Sequence, residues 1–113
     1  MINRRNRIRK NSEYQEVFDS KKILSSSSFR LHFDFPADES EAKLGVVVSK
    51  KVSNKASKRN KLKRRIKAIT LQHQIWQEGS LRLVVIAKPG SETLKFEQIE
   101  EEISGLLDKI KLK

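Results

Sequence analysis

Residues 44–67 read LGVVVSKKVSNKASKRNKLKRRIK, and this stretch decides the fold. Leu44 to Val48 is a β-branched run that predicts a buried strand. From Lys50 to Lys67 there are ten Lys or Arg and no Asp or Glu. Leu62, Ile66, Ile69, His73 and Trp76 then recur at helical spacing, which predicts one long amphipathic helix over 57–77. At about 100° per residue, Asn60, Arg64 and Lys67 fall opposite that apolar stripe, with Lys61 and Lys63 beside them. The cations crowd the half of the helix that its macrodipole already makes positive. Something outside the chain must relieve that repulsion, and a phosphate backbone does so best.

Working outward, Phe29 to Phe35 alternates apolar and polar without a slip and predicts a half-buried strand. Phe29, Leu31, Phe33 and Phe35 form its inner face; Arg30, His32 and Asp34 form its polar face. Before it, Tyr14, Val17 and Phe18 share one face of a short helix over 12–20, with Ser12 and Gln15 placed for a capping box. Lys21–Ser28 reads as a serine-rich loop and Pro36–Ala42 as an acidic one. Past the basic helix, Gly79 is a natural C-cap and Leu81–Ala87 a third strand, closed by Pro89-Gly90. Phe96, Ile99, Ile103, Leu106, Leu107 and Ile110 mark a last helix whose solvent face carries Glu97, Glu100, Glu101 and Glu102. The expected class is α+β, a two-layer α/β sandwich in the order α-β-β-α-β-α. Residues 1–113 make a single domain, with 1–10 as a flexible basic arm.

The chain carries a net charge of +11 and a pI of about 10.1, which favours nucleic acid over an anionic membrane as partner. There is no cysteine, so disulfides, thiolate metal sites and a cysteine nucleophile are excluded. No stretch approaches the roughly 18 apolar residues of a membrane span. The opening MINRRNRIRKNSEY has no apolar segment behind it, so no secretory signal is read and a cytoplasmic location is expected.

Catalytic chemistry is poorly supported. Glu100 to Glu102 point apart on a helix. There is no His-Glu-His zinc spacing, no phosphate-binding glycine loop and no nucleophile with a visible base. No catalytic residue and no metal ligand is therefore expected, and a metal-dependent nuclease is the weaker second class. A binder of ribosomal or other structured RNA is the other alternative. A DNA-binding protein is disfavoured because no second recognition helix or dimer seam is visible. Tyr14 and Phe18 read equally as core residues or as a platform on which a base stacks. His32 reads equally as a solvated residue or as part of that platform.

Arg59-Asn60-Lys61-Leu62-Lys63-Arg64-Arg65-Ile66-Lys67, after Val46-Val47-Val48-Ser49-Lys50-Lys51, resembles the signature of the protein subunit of bacterial ribonuclease P. The opening Arg-Asn-Arg-Ile-Arg-Lys-Asn before Tyr14 and Phe18 is similar to that family's usual start. The resemblance implies a sandwich with a left-handed β-α-β crossover. It implies a partner RNA that carries catalysis with its own magnesium ions, the protein itself binding no cofactor. It implies a role in 5′ maturation of tRNA, with RNA contacts at Lys51, Arg59, Asn60, Lys61, Lys63, Arg64 and Lys67. It further implies a cleft between the first helix, the sheet and the second helix for the single-stranded 5′ leader of precursor tRNA, with Tyr14, Phe18 and His32 inside it. The chain departs from the pattern in several places. Lys61 and Lys67 stand where Arg is usual, which keeps charge but loses the bidentate fork. His32 stands where an aromatic ring is frequent. No glycine follows the first helix within Asp19-Ser20-Lys21-Lys22. One extra residue lies between Lys51 and Arg59.

Overall fold

The apolar run that ends at Ala87 becomes the middle of a sheet. The computed structural model describes residues 8, 11–35, 42–77 and 81–110. In chain order its elements are helix α1 (Asn11–Asp19), strands β1 (Ile23–Ser25), β2 (Phe29–Asp34) and β3 (Lys43–Val47), helices α2 (Ala56–Gln72) and α3 (Gln74–Gln77), strand β4 (Arg82–Ala87), a 3-10 turn (Ser91–Thr93) and helix α4 (Phe96–Asp108). The strands lie in the order β1-β2-β4-β3. The first two pairings are antiparallel, whereas β3 and β4 are parallel. Parallel neighbours need a crossover, and α2 with α3 supplies it. The fold is α+β, as expected.

Register divides the sheet's residues between two faces. One face sets Phe29, Leu31 and Phe33 of β2 beside Leu83 and Val85 of β4 and Leu44 of β3. Against it pack Leu62, Ile66 and Ile69 from α2 and Ile99, Ile103, Leu106 and Leu107 from α4. This is the main core. The other face carries α1. Val17 and Val84 are fully buried there together with Ile8, and Tyr14, Phe18, Val47 and Ile86 pack around them. Burying a side chain the size of Val17 contributes roughly 1.5–3 kcal/mol. Two ion pairs hold α1 in place: Glu13 to Lys43 at 2.8 Å and Glu16 to Arg82 at 3.4 Å.

Several expectations are corrected. The serine-rich stretch contains β1, a three-residue edge strand that pairs on one side only and so tolerates polar residues. Helix α1 begins at Asn11, so Ser12 lies inside it rather than at its cap. The basic helix stops at Gln72, and a separate turn follows His73. The break shifts the apolar phase, so that Ile75 is the residue buried in the core. Phe96, assigned to the apolar face of the last helix, is exposed. Glu102, assigned to its solvent face, instead holds the Ser26–Ser28 turn. It accepts from the Ser26 hydroxyl at 2.6 Å and the Ser28 N–H at 3.0 Å. Burial pushes its carboxyl up, but those hydrogen bonds outweigh burial and hold it below the ordinary range. Within the expected basic arm, Ile8 is 2% exposed and its N–H donates to the Leu44 carbonyl at 3.1 Å. The remainder of the arm, residues 36–41 of the acidic loop, and Gly79 lie outside the described residues.

The absent glycine after α1 has a visible consequence. Lys21 sits at φ 60°, the left-handed position that commonly ends a helix and favours glycine. A side chain there costs about 1–2 kcal/mol, whereas glycine loses more backbone entropy on folding. Lys21→Gly is therefore expected to stabilise the protein by about 0.5–1 kcal/mol, read from urea unfolding midpoints. A lowered midpoint would show that the Lys21 side chain makes a compensating contact.

Candidate nucleic-acid interface

The sheet face beneath α1 is organised in cross-strand rows. Asp34, Arg82 and Lys43 form one; Ile23, His32, Val84 and Gly45 form the next; Ser25, Arg30, Ile86 and Val47 form the third. The first row is neutralised, because Arg82 donates to Asp34 at 2.8 Å and α1 adds Glu13 and Glu16. The aromatic residues of α1 stand over the second. The Tyr14 and Phe18 ring centroids are 6.4 Å apart, and Phe18 meets His32 edge-on at 4.8 Å. The third row lies beyond the helix: Arg30 and Ser25 are exposed, Ile86 and Val47 half-buried. An aromatic wall over an apolar, cationic floor thus makes a shallow groove.

Gly45 sets the height of that wall. A Cβ at this position would stand 2.8 Å from Tyr14 Cε1 and from its hydroxyl oxygen. The tyrosine ring lies against bare strand backbone only because nothing projects there.

The three cleft residues expected from sequence are brought together, but not as equals. Tyr14 and Phe18 are half-buried, between the core and the platform readings. His32 is 8% exposed, not solvated, because α1 covers the face that its alternation marked as polar. Neither of its ring nitrogens has a hydrogen-bond partner. Burial, then the nearby Arg30 charge, push its pKa below the ordinary value.

The basic segment lies elsewhere. Helix α2 packs on the opposite sheet face, so the groove is bounded by α1 and the sheet alone. From Val47, at the groove's open end, the chain runs through Ser49, Lys50 and Lys51 toward α2. Lys51, Asn60, Lys61 and Arg64 are exposed, and Arg59, Lys63 and Lys67 are half-buried. Arg59 also acts locally, where its Nη1 donates to the Ser53 carbonyl at 2.9 Å and braces the turn before the helix. The first turn of α2 has no acidic residue, and its cap, Lys55, supplies no side-chain hydrogen bond. The positive end of the helix dipole and the exposed cations Lys61 and Arg64 therefore lie on one helix whose first turn offers no acid.

One histidine–carboxylate pair invites a catalytic reading and does not support it. His73 and Asp108 are 2.7 Å apart beside a hollow of about 390 Å³ that Ser104 also lines. The Ile75 N–H donates to His73 Nδ1 at 3.1 Å, so Nε2 carries the proton toward Asp108. Neither nitrogen is left to activate a nucleophile. Among the described residues no group of three or more His, Asp or Glu is placed to hold a metal ion, and no helix is long and apolar enough to cross a membrane.

Fold and charge together define a class: a small basic α+β protein with one acid-free cationic segment and one aromatic-walled groove. A model of the ribonuclease P family matches residues 2–111, and the chain belongs to that family of ribonuclease P protein components, part of a tRNA-processing ribonuclease. The ribonuclease P protein component of Bacillus pumilus is 34% identical over 110 residues, which cover 96% of this chain and 90% of that protein. The ribonuclease P protein of Thermotoga maritima superposes with a TM-score of 0.80 at 27% identity, covering 95% of this chain and 99% of that one. The Staphylococcus aureus protein has a TM-score of 0.80 at 24% identity over 91% of this chain and 93% of its own, a likeness of fold.

His32 generates a pH-dependent expectation. A buried polar group without a partner costs about 1–3 kcal/mol. With its folded pKa lowered, His32 adds no protonation penalty above its ordinary value of about 6.5, and the folded state loses stability as pH falls from there through the folded value. His32→Phe removes both effects. Its thermal midpoint is expected to exceed the wild type at every pH, with a gap that widens below pH about 6.5. A gap independent of pH would mean that His32 is not desolvated.

Proposed function

We propose that this chain is the RNA-binding protein subunit of ribonuclease P, and that it supports 5′ maturation of precursor tRNA while its partner RNA carries the catalysis. One observation carries the reading: ten cations without an acid lie outside a groove that is itself walled by aromatic rings. A polyanion is needed to neutralise the first, and an unstacked base suits the second. Lys51, Arg59, Asn60, Lys61, Lys63, Arg64 and Lys67 contact the partner RNA. Tyr14, Phe18 and His32 hold the single-stranded 5′ leader. Mature tRNA lacks the leader, so the groove favours substrate over product by a difference of affinities. The chemistry belongs to the RNA and its magnesium ions. The setting is the cytoplasm.

The division of labour is tested by incubating pure protein with precursor tRNA and magnesium, with and without the partner RNA. Specific 5′ cleavage is expected only when the RNA is present. Cleavage by the protein alone would sink the assignment of catalysis to the RNA.

The two surfaces are separated by a pair of variants. Arg64→Ala is expected to weaken partner-RNA binding and to reduce its salt slope by about one unit, the signature of one lost phosphate contact. Tyr14→Ala is expected to weaken holoenzyme binding of leader-bearing precursor by roughly 1–3 kcal/mol, with mature tRNA unaffected. If Tyr14→Ala instead lowers the unfolding midpoint and preserves the precursor-to-mature ratio, Tyr14 is a core residue.

A further inference from the structure

The α1 face of the sheet is electrostatically lopsided. At one end, among the described residues, both cations are paired with carboxylates: Arg82 with Asp34 and Glu16, and Lys43 with Glu13. At the other end stands Arg30. It projects to the same face as His32, two residues along β2 and thus roughly 7 Å away. It is exposed, and among the described residues no carboxylate pairs with it. Its row neighbours are Ile86 and Val47, both half-buried, and the hydroxyl of Ser25. This is also the end at which β3 runs out toward Lys50 and Lys51, both exposed.

Such a residue would be a solvated surface cation if it stood alone. Its place argues otherwise. The spacing from Arg30 to His32 suits one extended nucleotide, so a base held against Phe18 leaves its neighbouring phosphate over the third row. The half-buried floor of Ile86 and Val47 is apolar and offers the guanidinium no carboxylate to compete with that phosphate. A planar guanidinium with several donors suits it well.

Resting on the leader reading above, we propose that Arg30 is a leader-binding residue whose guanidinium anchors one phosphate of the leader at the open end of the groove. The leader's backbone then passes from the aromatic wall over Arg30 toward Lys51. At the other end Arg82 and Lys43 are already held by Asp34, Glu16 and Glu13 and supply no net attraction for phosphate. The groove therefore fixes the leader's position as well as its affinity.

The experiment uses the holoenzyme assembled with its RNA subunit, and compares precursor tRNA bearing a five-nucleotide leader with mature tRNA across a salt series. Arg30→Ala is expected to bind precursor roughly ten-fold more weakly, the equivalent of one charged hydrogen bond, and to reduce the salt slope by about one unit. Mature tRNA binding is expected to hold. Arg30→Lys restores the slope and only part of the affinity, since it keeps the charge without the fork. Tyr14→Ala is run beside them. If Tyr14→Ala weakens precursor binding while Arg30→Ala leaves affinity and slope unchanged, the anchor is wrong and the cleft stands. If neither variant changes precursor binding, the leader reading fails and this inference falls with it. Equal loss for precursor and mature tRNA in Arg30→Ala would also overturn the anchor, because the contact would then lie outside the leader.

Discussion

Strand β4 is apolar on both faces, and the architecture depends on that. Leu83 and Val85 point into the core beneath α2 and α4, while Val84 points at α1, and all three are fully buried. A strand covered on both sides cannot sit at an edge or face water. It must lie between two others and have a helix on each side. Its neighbours then differ in direction, β2 antiparallel and β3 parallel. The parallel pairing requires a connection that crosses the sheet, and this chain makes its most cationic helix that connection. The basic surface is thus fastened to the middle of the fold by the same residues that build the core.

Two kinds of charge result from this layout. On α2 the cations gather without acids, so their mutual repulsion falls on a helix whose other side is held by Leu62, Ile66 and Ile69. Core burial, worth roughly 1.5–3 kcal/mol per large apolar side chain, exceeds the cost of like charges exposed to water. Under α1 the opposite holds: Arg82 and Lys43 are paired with acids at one end of the sheet face, and helix and sheet are held together by those pairs. The protein separates a surface meant for neutralisation from outside from one already neutralised within.

Legibility in the sequence followed periodicity. The alternation of Phe29 to Phe35 and the continuous run of Leu81 to Ala87 predicted β2 and β4 almost to the residue. The apolar stripe of α2 was equally plain up to Ile69. What failed depended on tertiary neighbours. His32 occupies a position that alternation marks as outward, and only the docking of α1 buries it. The break at His73 has no Gly or Pro to announce it. It is stabilised by hydrogen bonds to Ile75 and Asp108 that no local pattern contains. Glu102 sits among three other glutamates of one helix, and its partners lie in the Ser26–Ser28 turn, far away in sequence. Tyr14 and Phe18 were legible as a pair on one helix face. Their half-buried state follows from where α1 docks on β2 and β4, which brings Tyr14 against Gly45 of β3.

Gly45 is constrained by what lies above it, not by its own backbone angle. A larger residue here requires the side chain at position 14 to shift or to shrink. The two positions are therefore not independent sites of sequence drift. A lineage that acquires alanine at 45 while the tyrosine remains must shift the ring, and with it the wall of the groove. A lineage that first trims position 14 meets no such obstacle. The order in which two distant substitutions can be accepted thus follows from the 2.8 Å that would separate a Cβ at position 45 from the Tyr14 ring. Covariation between positions 14 and 45 would be the historical trace of an aromatic wall built on bare backbone.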